Sequence, residues 1–589
     1  MTFGERRTRP AIPSRRKGRW SSGLTLPALS VLYGSATWLA LAGCTTSVES
    51  DPGTSPGSNA IDAPAPTPEE DTACTSPPTR IWRLSDDQYV QAVTDLFPGV
   101  SVPAVPTPGR NAYELINAAG ELPVTGSLTS LFRISARSVA GQAVQNLNAL
   151  VTCAPAEPPT DCATRFIDDF VARAFRRPVS VEERARLISV FEVGARSSFA
   201  EGIRLVLEAV LQSGSFIYRA ELGPAAAAPG ETVGLTAFEL ASSLAFFLLN
   251  SIPDAELWSA AQDGSLVTAE VYAAQVERLL ALPRVQQNLS RILVRWLKLE
   301  RVLVSERATT SFPEFDALRQ PMLDESHAFF AQLLSRGGNV SELFSSRQAR
   351  IDARLAEFYG VATNGAQGLI NVELPASQRA GILTQGSLIA SVKASNRSVH
   401  RGLFILRELL CHEIPPPPVG LDTKPPNPEV DTEREFANYR ASQGSCGACH
   451  GAIDGIGLSY ERYDALGRYA ATDASGLPID ASGSLLLDGA PVTFGDITEL
   501  GQLLGKSPQV GACVSQKLLG YALGAAGRVR PLEAIRPRLG HWRDRKRRVG
   551  PVQLSRRRAV PEVHRRRAPQ YRQRLRQPLV RAPVVVLTP

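Results

Sequence analysis

TAFELASSLAFFLLN, residues 236–250, holds both a helix start and a helix face. Thr236 three residues before Glu239 spells a capping box: the hydroxyl accepts a bond from a first-turn amide while the carboxylate reaches back to the cap N–H. Behind it, Leu240, Leu244, Phe247 and Leu248 fall on one side of a 3.6-residue period. The same pattern recurs outward along the chain. Ser85 precedes Gln88, Ser180 precedes Glu183, and Ile203, Leu207, Val210 and Leu211 share a face. Strand-like alternation is scarce and no fixed repeat is evident. The fold class is mainly α and multi-domain.

A chain of 589 residues is too long for one core. Helix breakers cluster at Gly223–Gly230, near Pro375 and from Pro415 to Pro428, with Pro415–Pro418 as a stiff polyproline strut. These divide the helical part into an N-terminal domain at 79–152, helical domains at 153–222 and 233–362, a small module at 376–475, and a C-terminal helical part at 476–527.

The two ends differ from the middle. Arg6, Arg7, Arg9, Arg15, Arg16, Lys17 and Arg19 form a basic region, an apolar run follows, and Leu41-Ala42-Gly43-Cys44 reads as a lipobox. Residues 1–44 are thus expected to be a lipoprotein signal peptide, with Cys44 acylated. Residues 45–78, rich in Ser, Thr, Pro and Ala, form a disordered tether. The expectation is an exported, membrane-anchored lipoprotein, with Thr45 favouring the outer membrane. The net charge of +7 is misleading. From Arg528 to Pro589 there are 19 Lys+Arg and 3 Asp+Glu, so the remainder carries 45 against 54 and is acidic. The tail at 528–589 is expected to be basic and without a fold, the product of a reading-frame slip after Gly524; a genuine polybasic arm is the alternative. No nucleic-acid partner is expected.

Eight cysteines suit an exported chain. Cys153 and Cys162 flank a short loop and are expected to pair; Cys411 and Cys513 bracket a further motif and are a second candidate pair. That motif is Cys446-Gly447-Ala448-Cys449-His450 in SQGSCGACHGAID, 442–454. Two thiols at this spacing add across the vinyl groups of one haem edge, and the adjacent histidine meets the iron. Zinc would need a second ligand pair that the sequence lacks, and a redox dithiol would need a thioredoxin-like alternation of strands and helices. A local disulfide is the remaining rival. Besides Met1, the only methionine is Met322, far upstream, and residues 451–540 hold neither Met nor His. The sixth position would therefore fall to His400 or His412, to Lys506 or Tyr463, or stay open.

The stretches RLSDDQYVQAVTDLF, FVARAFRRPVSVEERARL, GIRLVLEAVLQSGSFIYRAEL, FELASSLAFFLLNSIPDAELWSAA, RAGILTQGSLIASVKASNRSVHRGLFILRELLCHEIPPPP and CGACHGAIDGIGLSYERYDALGRY carry a resemblance. From about Arg80 to Gly524 the chain resembles a family of large exported bacterial proteins built from several domains of unknown function in series, ending in a haem-type CxxCH module. The resemblance implies a cytochrome-c-like module at 376–475 with covalent haem c on Cys446, Cys449 and His450, but no known reaction. Three positions depart from the family pattern. Gly455 stands where a proline usually follows the aspartate, Tyr439 stands where a histidine commonly precedes the motif, and the arginine-rich tail replaces further ordered helix after LLGYALG.

The function expected is that of an exported electron carrier or redox partner at the cell envelope, its own partner unidentified. The alternatives are a non-haem surface binding or scaffold protein, carbohydrate-associated in some relatives, and a haem enzyme with an open sixth position. Asp324 and His327, three apart on a helix, have no further ligands and read as a solvated face. No phosphate loop, GxSxG elbow or carboxylate pair stands out.

Overall fold

The computed structural model describes residues 80–106, 122, 124–224, 232–307, 310–363, 365–415, 432–524 and 553–555. The expectations for the signal peptide with Cys44, the tether, and the strut beyond residue 415 lie outside these. The fold is mainly α. Among the described residues its strands form two-stranded antiparallel sheets: β1 (Arg80–Arg83) with β2 (Tyr218–Glu221), β3 (Thr232–Gly234) with β8 (Gln553–Ser555), β4 (Gln348–Ile351) with β5 (Ile370–Glu373), and β6 (Gly483–Leu487) with β7 (Ala490–Phe494). The β3–β8 pair places three residues of the arginine-rich tail in a strand, where composition predicts no fold. Among the described residues no helix is long and apolar enough to cross a membrane.

The helices of eight residues or more fall into three cores. In the first, α1 (Asp86–Leu96), α2 (Gly126–Ala143), α3 (Pro159–Phe166), α4 (Val181–Ala195) and α5 (Phe199–Gln212) surround Tyr89, Phe132, Phe191 and Leu207. The capping boxes at Ser85/Gln88 and Ser180/Glu183 start α1 and α4, each worth about 1 kcal/mol. The boundary expected at 152/153 falls inside this core: Val139 and Val151 pack with Cys162 and Phe191. The apolar face of the 79–152 segment is completed by the helices after it.

The second core is built on α6 (Ala237–Leu248), α7 (Ala255–Gln262), α8 (Ala269–Leu280) and the start of α9 (Pro283–Trp296). Its inner face includes Leu240, Leu244, Phe247 and Leu248, behind the Thr236/Glu239 box. Tyr521 and Ala522 reach it from far along the chain.

The third core joins the rest. The end of α9, α10 (Phe315–Ser335), α11 (Arg397–Phe404), α13 (Gly444–Gly457), α14 (Ile497–Lys506) and α15 (Pro508–Leu523), with β4–β7, enclose Phe330, Leu388, Ile453 and Leu500. α12 (Glu433–Ser442) packs on α13. The segments 233–362, 376–475 and 476–527 thus share one interior, and the CxxCH helix is one wall of it. α11 and α13 cross backbone to backbone. A Cβ on Gly402 would stand 2.0 Å from the Ile453 carbonyl oxygen, and one on Gly457 would stand 1.8 Å from that of Ser398. Only glycine permits that approach, and it brings Ser398 beside Asp454.

Candidate functional site

The motif lies in the first turns of α13. Cys446, Cys449 and His450 fall within an arc of about 100° at 100° per residue. Seven residues after each thiol, on the same face, stand Ile453 and Ile456, both in the third core. The helix therefore runs out of the core while keeping its face: what is isoleucine inside becomes thiol and imidazole at the rim. Cys446 is half-buried and Cys449 exposed, and neither is bonded to another cysteine. Gly444 and Gly451 beside them have open space where a side chain would project. Gly447 has none: a Cβ there would meet the Ala441 carbonyl oxygen at 2.3 Å. The corner from α12 into α13 needs glycine between the two cysteines.

Below the motif, His450 Nδ1 lies 3.2 Å from Asp454 Oδ2. A carboxylate only accepts, so Nδ1 carries the proton and Nε2 keeps a lone pair. Asp454 is 2% exposed. Arg440 Nε donates to the same oxygen at 2.8 Å, and Ser398 Oγ stands 3.5 Å from the other. Ser398 also donates to Glu433 at 2.6 Å and accepts from Arg440 at 2.9 Å, while Arg440 reaches Glu433 at 3.3 Å. Three helices, α11, α12 and α13, thus contribute to one closed network behind the imidazole. The helix continues through Gly455 to Gly457.

The residues at the motif suit a covalently held haem: two unbonded thiols and an imidazole nitrogen on one face, at the rim of an apolar core that a macrocycle would extend. Among the described residues no hydrogen bond or ion pair joins the candidates for a sixth position to the motif. His400 lies about 160–200° round α11 from Gly402 and Ser398, the positions that meet α13. Burial, then Lys393 and Arg407, hold its imidazole below the usual range. His412 is exposed next to Cys411, and Lys506 is exposed at the end of α14. Tyr463 is 2% exposed and donates to the Gln378 carbonyl, which commits its hydroxyl to the core. Met322 is fully buried against Gly386. His327 is half-buried with Ser290 Oγ 3.5 Å from Nδ1, and Asp324 accepts from Gln320. His327 thus packs against α9 and does not lie on the solvated face that the sequence suggests.

A second buried polar cluster joins α10 to the segment after residue 378. Glu325, 1% exposed, accepts from the Tyr359 hydroxyl at 2.7 Å, and that oxygen accepts from the Gly386 amide at 2.8 Å. The Arg379 guanidinium stacks on the Tyr359 ring at 4.0 Å and donates to Thr384 O at 2.8 Å. Burial pushes the Glu325 carboxyl up to about 7, against the Tyr359 bond and the Arg379 charge. Glu325 Oε1 and Arg379 Nε are buried without partners, and both residues line a small cleft with Thr384 and Gln385.

Disulfides join Cys153 to Cys162 and Cys411 to Cys513. The sequence did not indicate Ser398, Glu433, Arg440, Glu325 or Arg379. Of the network partners only Asp454, four residues after His450 on one helix, carried a readable signal.

Comparison with known families gives three matches in series, all to proteins of unknown function. They are PSD5 (DUF1595) at residues 162–221, PSD4 (DUF1592) at 235–361 and PSCyt3 (DUF1588) at 379–473. No curated protein and no solved structure matches the chain. Three stretches of the chain thus match domains of unknown function in series, and the third contains Cys446, Cys449, His450 and Asp454.

Proposed function

We propose that this chain is an exported, lipid-anchored electron carrier or redox partner at the cell envelope, with one haem c held by its third matched domain. The observation that carries the reading is the motif's geometry: unbonded Cys446 and Cys449 on one helix face with His450, whose Nδ1 is already engaged. Both thiols are unbonded although two other cysteine pairs are bonded, which favours thioether attachment over a local disulfide. The cytochrome tag in the name PSCyt3 supports the same reading.

A haem bound there supplies a one-electron iron couple. Cys446 and Cys449 would hold it covalently and His450 would present Nε2 to its iron, while Ile453 and Ile456 anchor the same helix in the core. Exposed Cys449 and the small residues around it leave that edge accessible to a partner. The lipid anchor at Cys44 would keep the module near the membrane, with further acyl chains needed for stable attachment.

The test is a haem stain on a denaturing gel with a pyridine haemochrome spectrum, on chain matured by a cytochrome c assembly system. Stain that follows the protein and vanishes in Cys446→Ala/Cys449→Ala is the expected result. An exported, folded chain without stain overturns the reading and leaves an envelope scaffold.

A further inference from the structure

We propose that Asp454 is a positioning residue for His450, and that it holds the iron of the bound haem at a lower potential than a neutral acceptor would. The inference rests on the haem reading above. Its basis is the bond pattern: an acceptor-only carboxylate 3.2 Å from Nδ1, itself fixed by Arg440 Nε at 2.8 Å and flanked by Ser398. The imidazole is thereby fixed in one tautomer and orientation before any iron arrives. A carboxylate behind a ligating imidazole makes it a stronger donor to the metal. Stronger donation stabilises the oxidised iron relative to the reduced, and so lowers the potential.

The surrounding charges agree. Glu433 and Asp454 are formally negative and Arg440 positive, so the network leaves one net negative charge behind the histidine. Arg440 draws on the same Oδ2 that His450 uses, so the effect is shared rather than maximal. Arg440 comes from α12, Ser398 from α11 and the motif from α13. The ligand's electronic character is therefore set by how the three helices cross, with Gly402 and Gly457 as the contact points of α11 with α13.

Reduction potentials of the haem-loaded chain test this. Asp454→Asn is expected to shift the balance of oxidised and reduced iron about tenfold toward the reduced form, about 59 mV upward for one electron. Glu433→Gln removes the same charge without touching His450, and its shift is expected to be clearly smaller. Equal shifts, or none, with haem present would overturn the role of Asp454 while leaving the haem reading standing. A folded wild-type chain without haem would sink both. If Asp454→Asn does not fold, the unmutated chain still decides. Resonance Raman after photolysis of its carbon monoxide adduct should place the iron–imidazole stretch in the high-frequency range of carboxylate-bonded imidazoles. A stretch in the lower range of carbonyl-bonded ones, or no adduct because the position is filled by a strong ligand and the potentials do not separate, counts against the proposal.

Discussion

The Asp454 network and the Glu325 cluster are both buried, both built across segments far apart in sequence, and finished to different degrees. Around Asp454, His450 and Arg440 share the carboxylate, and Arg440, Ser398 and Glu433 close a ring of bonds behind it. Around Glu325 one carboxylate oxygen and one guanidinium nitrogen have no partner. The difference teaches that burial of charge alone does not mark a positioned side chain. A closed set of bonds fixes an imidazole in one orientation. An unfinished set leaves a carboxyl whose proton is held into the neutral range.

Breaking the closed network should cost most. Asp454→Ala strips Arg440 and His450 of their shared acceptor, and removing one member of a buried ion pair typically costs about 3–5 kcal/mol. Urea unfolding midpoints of variant and parent measure it; a loss under about 1 kcal/mol would mean the network is less buried than described.

The unfinished cluster should reveal itself through pH. The Glu325 carboxyl is raised from 4.5 to about 7. Between those values the unfolded chain has released a proton that the folded chain still holds. Stability therefore falls as pH rises across that window, by about 3 kcal/mol in all, and levels off above it. Glu325→Gln should flatten this part of the profile, and an identical slope in the variant would remove Glu325 from the account. Tyr359→Phe sharpens the point at a single pH. It deprives Glu325 of a donor and the Gly386 amide of an acceptor, for an expected loss of about 2 kcal/mol by thermal unfolding. The smallest effect belongs to the corner between α12 and α13. Gly447→Ala forces the Ala441 carbonyl, a backbone atom, to shift, for an expected loss of about 1–2 kcal/mol by urea unfolding, with a lower yield of attached haem as the more sensitive measure.

The two regions were also unequally legible in the sequence. Helices announced themselves through local signals: three capping boxes and two apolar faces needed nothing beyond their own neighbours. Two further boxes, Asn339 with Glu342 and Thr432 with Glu435, have the same spacing and start a six-residue helix at Val340–Ser345 and α12. The motif residues were readable because CxxCH is a spelling recognisable from spacing alone. Ser398, Arg440 and Glu433 were not, because Ser398 lies on α11 and the other two on α12, and they gather behind Asp454 only once both helices pack on α13. The cores were hidden for a similar reason. Val151 and Phe191 belong together although a proline-rich loop lies between them, and Tyr521 completes an interior begun near residue 240. Breakers mark where helices stop, not where an apolar face finds its cover.

The bond between Cys411 and Cys513 turns the intervening stretch into a covalent ring, with α12 and α13 inside it. A single peptide-bond cut anywhere in that ring would not release a fragment: the two pieces would stay one molecule on a gel until a reductant was added. In an oxidising compartment the motif helix is thus tethered from both sides, and damage to the chain beside it would not by itself carry it away.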